Sequence, residues 1–495
     1  MEKILSVYQQ VDQLYREVHK ASQENYQNWQ SSIDRENFKS SAQNLLAYLA
    51  LRKHDLRTLQ NNLSELGVSS LGRLEAKVLP TLAASANLLG KIIGKESPYA
   101  MPEPEEFNQQ LHQLEENTLE CYGPLPEQHA TRIMVTLGSE AAEDKHHLKR
   151  LIQAGMNAAR INCAHDDTQV WKGMIDNIRN LEKELNQPVR ILMDLAGPKI
   201  RTEWIHTRYK DPKVVPGDYI EITGDFSTLP NRPDVKVTAG CGLEDIYQNV
   251  KVSDPVLIDD GSIEGIIREV TASSFIFQVT KVKGKSKRLK AEKGINFPNS
   301  DFKMPLLDDQ DKKDLQFALE HADIIGLSFV RNKLDIQEVQ TYIQEELHHD
   351  LTNVHIMAKI ETVQAFKNLG EIILTAAGKQ PFSIMIARGD LAVESGYARL
   401  AEIQEEISWI CEASAIPVVW GTEVLATLIK EGVPTRSEIT DAAKSVQAEV
   451  VMLNKGPFIE QGITMLSHIL SKMQDHTYKK SPRLRSLNVA KESDL

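Results

Sequence analysis

From Thr131 onward the sequence alternates short apolar runs with helix-length amphipathic segments, and this alternation constrains the fold more than any other feature. Eight runs have the length and composition of buried strands: 132–137, 157–162, 189–194, 324–329, 354–361, 382–387, 417–421 and 450–453. Segments such as 144–154 and 333–347 have the apolar spacing of helices. Eight strands in β/α alternation predict an α/β fold, a closed (β/α)8 barrel of the TIM type.

One long interruption separates the third run from the fourth. Between Arg201 and Phe302 the helical pattern is absent, and short runs such as 219–222, 255–258 and 275–279 are punctuated by Gly, Pro, Asp and Asn. They predict an inserted all-β lid domain over residues 203–297. Such a lid would exclude water from a site on that loop side of the barrel. The barrel then comprises residues 129–202 and 298–478.

The first 128 residues predict a helical amino-terminal domain, because apolar residues recur there at helical spacing. The turn at 67–73 resembles a helix-hairpin-helix, whose backbone amides can hold a phosphodiester. The segment is not strongly basic, so we favour a plain helical hairpin that packs on its neighbour. The proline-containing stretches 97–106 and 123–126 are typical of a linker, and residues 479–495 of a polar tail.

Composition excludes several classes of protein. A chain of 495 residues with 57 basic and 69 acidic side chains carries a formal charge of −12, which is poorly suited to binding nucleic acid over a broad surface. The apolar runs are too short to span a membrane. Four scattered cysteines without a CxxC pattern, and an amino terminus that is not signal-like, predict a cytoplasmic protein.

The ends of the fifth and sixth runs carry the most informative polar residues. Lys359 and Glu361 are two positions apart and so point to the same side of a strand, and Asp390 follows the next run. Active-site residues of parallel barrels come from the carboxyl ends of the strands. One ammonium and two carboxylates there suit Mg²⁺ bridged to a phosphorylated ligand better than zinc, which prefers His or Cys. The chain is therefore interpreted as a phosphoryl-handling enzyme.

Other strand ends add polar groups to the same rim: Arg160, Asn162, Asp194, Lys199, Arg201, Ser328, Arg331, Thr422, Asn454 and Lys455. Eight segments resemble motifs of the pyruvate kinase family in the order of that family: 156–162, 194–202, 259–261, 293–296, 328–331, 359–361, 387–391 and 434–438. The resemblance covers about residues 131–475. Any one of these motifs alone would be a weak signal, but eight in order are a strong one.

The resemblance implies a role for each matched residue. Glu361 and Asp390 would hold Mg²⁺, or alternatively Mn²⁺. Lys359, Arg160 and Thr422 would be the catalytic residues, and Arg160, Gly389, Asp390 and Thr422 would bind the phosphate and carboxylate of phosphoenolpyruvate. Arg201 and Asn162 would contact the nucleotide. The implied reaction moves a phosphoryl group from phosphoenolpyruvate to ADP and gives pyruvate and ATP, as in glycolysis.

The departures from the family pattern lead to further expectations. In the potassium site of the family, Asn162 and Asp194 match, but Ala164, Leu195 and Lys199 replace a serine, a threonine and a glutamate. An ammonium can take the place of a monovalent cation, so we expect Lys199 to lie in that region and the enzyme to need no potassium. The loop after the eighth strand, 454–457, contains Lys455, whereas the usual loop of the family contains a glutamate. This reversal of charge leaves the nucleotide preference open.

Two further expectations concern assembly. The sequence ends at Leu495, soon after the last barrel helix, and does not include the family's usual carboxyl-terminal domain. Effector control and tetramers through that domain are therefore not expected, although a homo-oligomer through the barrel is possible.

Two alternative functions remain open at this point. The first is a non-catalytic regulatory protein that binds phosphoenolpyruvate on the same barrel. The second is another barrel enzyme that uses phosphoenolpyruvate or pyruvate, such as a lyase or aldolase, although the inserted lid counts against it.

Overall fold

The computed structural model describes residues 1–224, 232–243, 246–300, 302 and 304–483. Parts of the predicted lid at 225–231, 244 and 245, residues 301 and 303 of the predicted barrel, and most of the predicted tail at 484–495 lie outside the described residues. Within the described ranges no helix is both long and apolar enough to cross a membrane.

Eight parallel strands close into a barrel, which confirms the predicted fold class. They are β1 (Arg132–Thr136), β2 (Ala158–Asn162), β3 (Arg190–Asp194), β4 (Ile324–Leu327), β5 (Ile356–Ile360), β6 (Phe382–Ile386), β7 (Val418–Trp420) and β8 (Val450–Leu453). Each strand pairs with its neighbours along the chain, and β8 pairs with β1. Every predicted run contains its strand and ends within two residues of it.

Helices surround the strands as the alternation predicted. Those before β5 are α6 (Lys145–Ala154), α7 (Thr168–Leu185), α8 (Asp309–His321) and α9 (Lys333–Thr341). Those after it are α10 (Val363–Lys367), α11 (Leu369–Ala377), α12 (Arg388–Ser395), α13 (Tyr397–Ala413), α14 (Ala426–Glu431), α15 (Arg436–Lys444) and α16 (Ile459–Met473). The α10–α11 segment is divided at Asn368, whose side-chain amide donates to the Arg331 carbonyl oxygen at 3.0 Å.

The interior of the barrel is filled with side chains rather than open. Met134, Leu192, Met357, Met385 and Met452 are buried within it. Tyr122, from the helix before β1, belongs to the same cluster, and its hydroxyl lies 2.7 Å from Ser383 Oγ on β6. Since a packed barrel offers no passage along its axis, chemistry is confined to the open rim at the carboxyl ends of the strands.

Five helices precede the barrel: α1 (Glu2–Trp29), α2 (Lys39–Leu51), α3 (Arg57–Glu65), α4 (Val78–Ile92) and α5 (Pro104–Tyr122). The first four share an apolar core that also includes Ala413 at the end of α13, so they rest on the barrel. The last residues of the stretch 97–106, predicted as a linker, are helical, because α5 begins at Pro104. A capping box formed by Glu103 and Glu106 stabilises this start of the helix. The first two residues of the predicted tail are packed, since Lys479 is buried against Glu449 and Lys480 pairs with Glu75.

The insertion after β3 is rich in strands, as predicted, and has its own apolar core. Its larger sheet contains Thr202–His206, Tyr219–Thr223, Val235–Cys241, Pro255–Ile258, Ile263–Val270, Ser274–Val282 and Ile295–Asn296, and a ribbon pairs Lys213–Val214 with Lys287–Arg288. The insertion contacts the barrel rim where Asn296 Nδ2 donates to Glu394 Oε1 of α12 at 3.0 Å. Arg331 donates to the carbonyl oxygens of Phe302 and Met304 and so fixes the chain that returns from the insertion.

Candidate active site

Lys359 lies at the centre of the polar rim, at the end of β5. Its Nζ is 2.7 Å from Ser328 Oγ, 3.1 Å from Glu361 Oε1 and 3.4 Å from Asp194 Oδ2. Burial acts to lower the pKa of Lys359, but the charges of Asp194 and Glu361 outweigh burial and the pKa is raised. The ammonium is therefore held in its charged form among groups from three strands.

Asp194 joins this ammonium to a guanidinium. Arg160 Nε and Nη2 lie 2.8 and 2.6 Å from Asp194 Oδ2, and Arg160 Nη1 donates to Thr136 Oγ1 at 3.1 Å. Burial alone would raise the pKa of Asp194, but the charges of Lys359 and Arg160 lower it. The carboxylate thus orients both cations toward the same part of the rim.

Glu361 and Asp390, the two carboxylates that the sequence assigned to a metal, follow the paired strands β5 and β6. Burial is the largest cause of the raised pKa at Glu361, and the negative charge of Asp390 raises this pKa further. Glu361 Oε2 accepts from the Phe329 backbone N–H at 2.5 Å. No described residues form a cluster of three or more His, Cys, Asp or Glu that could hold a metal. Two carboxylates without His or Cys fit Mg²⁺ completed by substrate oxygens and water.

Lys199 pairs with Asp390, one of the two carboxylates that the sequence assigned to a metal. Its Nζ donates to Asp390 Oδ1 at 2.7 Å and lies 5.4 Å from the centre of the Phe329 ring. Among the described hydrogen bonds and ion pairs, none joins Lys199 to Asn162 or Asp194. Arg160 and Lys359 pair with Asp194 while Lys199 pairs with Asp390, and the expected role of Lys199 in the monovalent-cation region stays a prediction.

Gly197 explains how the loop after β3 reaches this position. Its φ is +68°, and an added Cβ would lie 2.8 Å from Ser328 Cβ and 2.9 Å from the Ser328 carbonyl oxygen. Only glycine fits such an approach without displacing backbone. Ser328 Oγ in turn donates to the Leu195 carbonyl oxygen at 2.7 Å, so the loops after β3 and β4 are tied together beneath Lys359.

Thr422 and Gly389 lie together at the rim, as the resemblance implied. The Gly389 N–H, in the first turn of α12, donates to Thr422 Oγ1 at 2.9 Å. Thr422 has φ of 55°, an uncommon conformation for a β-branched residue. Arg388 stabilises it by donating to the carbonyl oxygens of Thr422 at 2.6 Å and Gly421 at 2.8 Å, while pairing with Asp441.

Sequence reasoning placed Ser328 on the rim without giving it a role, and it did not assign Arg388 to the site. Both are within segments that carried the family resemblance, 387–391 and 328–331. Ser328 donates to a backbone carbonyl oxygen and accepts from Lys359, and Arg388 donates to a backbone carbonyl oxygen. The sequence alone does not indicate such partners.

The two predicted nucleotide contacts line different clefts. Asn162 lines a recess of about 160 Å³ together with Arg160, Asn454 and Lys455. Arg201 is exposed where the insertion begins, forms a β-bridge with Gly294, and lines a separate cleft. A nucleotide that contacted both residues would have to extend between the two clefts.

Comparisons with known proteins identify relatives of this architecture. The family model "Pyruvate kinase, barrel domain" matches residues 128–456. Pyruvate kinase of Clostridium perfringens is 30% identical over 359 residues, which are 70% of this chain and 72% of that protein. Pyruvate kinase 2 of Synechocystis is 31% identical over 360 residues, 71% of this chain but only 57% of that protein. The crystal structure of a pyruvate kinase from Cryptosporidium parvum superposes with a TM-score of 0.63 at 28% identity, over 72% of each chain.

Proposed function

The chain belongs to the pyruvate kinase family, and from that premise we propose that it transfers the phosphoryl group of phosphoenolpyruvate to ADP with Mg²⁺ or Mn²⁺. The observation that carries the proposal is the convergence of Lys359 and Arg160 on the carboxylates of Glu361 and Asp194 at one rim. A protein that only bound an anion would not need Glu361 and Asp390, the two carboxylates suited to a metal ion, beside these cations.

The proposed roles follow from the contacts of each group. Phosphoryl transfer spreads negative charge over non-bridging oxygens, which the Lys359 ammonium and the Arg160 guanidinium would stabilise. The Gly389 N–H donates to Thr422 Oγ1 at 2.9 Å. Both groups would exchange this mutual hydrogen bond for hydrogen bonds to the substrate carboxylate. A divalent ion held by Glu361 and Asp390 would supply the remaining positive charge.

We also propose that turnover needs no potassium. Ala164 and Leu195 carry no side-chain oxygen for a monovalent ion, and the Leu195 carbonyl oxygen already accepts from Ser328 Oγ. Lys199 adds a third ammonium or guanidinium group to the rim. If turnover in sodium- and potassium-free buffer with Mg²⁺ rose more than about tenfold on adding potassium, this part of the proposal would be wrong.

A coupled lactate dehydrogenase assay tests the activity. Purified protein is compared with Lys359→Met and Glu361→Ala, and with Lys367→Met as a matched substitution outside the contacts described above. We expect pyruvate formation that depends on ADP and divalent metal, that is lost in the first two variants and that is kept in the third.

Equal background in all samples would contradict the enzyme and favour a non-catalytic protein that binds phosphoenolpyruvate. Pyruvate formation without ADP would favour another barrel enzyme. A cytoplasmic location remains a prediction of the sequence.

A further inference from the structure

A third cleft lies far from the rim. It is bounded by the end of α2, the start of α3, the turn before α4 and the last part of α13, and its volume is about 460 Å³. Small-ligand pockets have volumes of roughly 300–1,000 Å³. Because α13 runs back from the rim to the start of β7, Trp409 near its end places the cleft at the opposite end of the barrel from Lys359. The turn that resembled a helix-hairpin-helix contributes Leu71 and Gly72 to the wall.

Two buried polar atoms of this cleft have no hydrogen-bond partner among the described residues. They are Glu75 Oε2 and Trp409 Nε1, and both residues line the cleft. Glu75 is only 2% exposed, and its other oxygen contacts Lys480. A buried acceptor or donor without a partner costs free energy, so such atoms are usually satisfied by ordered water or by a ligand.

The cleft also contains an exposed cation, Arg52, that has no carboxylate partner among the described ion pairs. Asp55 pairs with Arg57 at 2.6 Å and Glu75 pairs with Lys480, whereas no described salt bridge gives Arg52 a carboxylate. The Arg52 guanidinium instead donates to the Tyr48 hydroxyl at 2.5 Å and lies 5.1 Å from the centre of the Trp409 ring.

Lys480 is a second positive charge in this cleft. Its Nζ lies 4.7 Å from the centre of the same Trp409 ring. Burial, followed by the charge of Arg52, lowers the pKa of Lys480 to about 8. Two cations therefore face one indole in a protein whose formal charge is −12.

We propose that this cleft binds a small anion that also carries a hydroxyl group. The anionic group would pair with Arg52 and Lys480, the hydroxyl would donate to Glu75 Oε2, and a ligand oxygen would accept from Trp409 Nε1. A carboxylate and a phosphate satisfy the cations equally, so the ligand class is a hydroxylated small carboxylate or phosphate.

The five tryptophans give a site-specific measurement. The full chain is labelled with ¹⁵N at the indole nitrogens, the Trp409 resonance is assigned with Trp409→Phe, and glycerol 3-phosphate and L-malate are titrated separately. We expect at least one probe to shift the Trp409 resonance saturably, with a dissociation constant of about 1 mM or tighter. Which probe does so distinguishes phosphate from carboxylate.

Variants of the cleft test the geometry. Arg52→Met is expected to weaken the titration by about tenfold or more, and Lys480→Met provides a second test if Arg52→Met does not fold. Lys53→Met is the matched control, because Lys53 is exposed beside Arg52 and does not line the cleft, and it should leave the titration unchanged. The proposal is overturned if neither probe shifts Trp409, if only Trp420 near the rim responds, or if the folded cleft variants bind as the unaltered protein does.

Discussion

Replacing Lys199 by methionine should make the protein bind divalent metal more tightly. Lys199 Nζ is 2.7 Å from Asp390 Oδ1, and the two side chains are 16% and 24% exposed. A metal that uses Asp390 must displace this ammonium. The bare attraction at that distance is about 6 kcal/mol with an effective dielectric constant of about 20, and most of it is offset by desolvation. A hydrogen bond to a charged group is worth about 1.5–3 kcal/mol net, so the metal dissociation constant should fall about 10- to 150-fold.

Free Mn²⁺ measured by electron paramagnetic resonance, without substrate, gives this constant directly. Lys199→Arg keeps the charge and should change the constant little. Lys293→Met removes a nearby lysine that pairs with Asp259 at 2.9 Å, and it controls for a general loss of positive charge. If Lys199→Met bound Mn²⁺ within about twofold of the unaltered protein, competition between the ammonium and the metal would be refuted. Because Lys199 is also proposed to add a positive charge to the rim, turnover of Lys199→Met without potassium should fall at least about tenfold despite the tighter metal.

Three further outcomes are expected. Lys359→Met should lower kcat by about 10²- to 10³-fold in the coupled assay while circular dichroism shows an intact fold. Burial raises the pKa of the Glu361 carboxyl, so this group stabilises the fold below its unfolded-state pKa, and that contribution is lost as the pH rises through the folded-state pKa. The protonated carboxyl does not bind a metal ion, so the affinity for Mn²⁺ should fall as the pH is lowered from 8 to 5.5. An affinity for Mn²⁺ that did not change with pH would contradict this. Arg388→Met should lower the free energy of unfolding in urea by about 2–3 kcal/mol, because the Asp441 pair and two carbonyl contacts are lost, whereas exposed Arg399→Met should change it by less than about 0.5 kcal/mol.

The barrel was predictable because each buried parallel strand is a short apolar run, and these runs alternate regularly with amphipathic helical segments along the sequence. The eight runs were located to within two residues, and the two-residue spacing of Lys359 and Glu361 correctly placed both on the rim. The position of Lys199 was not predictable, because it depends on which carboxylates other cations already occupy. Arg160 and Lys359 take Asp194, and Lys199 is left with Asp390. Sequence spacing carries no information about such a competition between distant residues.

The site also has a charge balance that no single strand end reveals. Three cations, Arg160, Lys199 and Lys359, are joined by ion pairs to three carboxylates, Asp194, Glu361 and Asp390. An equal number of charges of each sign makes burial of all six tolerable without a ligand, because each charge has a partner. A divalent ion would then leave the rim with a net charge of about +2, and this positive field is what a multiply charged phosphoryl donor needs to bind and react. On this reasoning Lys199 keeps the metal-free site neutral, and the metal generates the positive field only when it displaces that ammonium from Asp390.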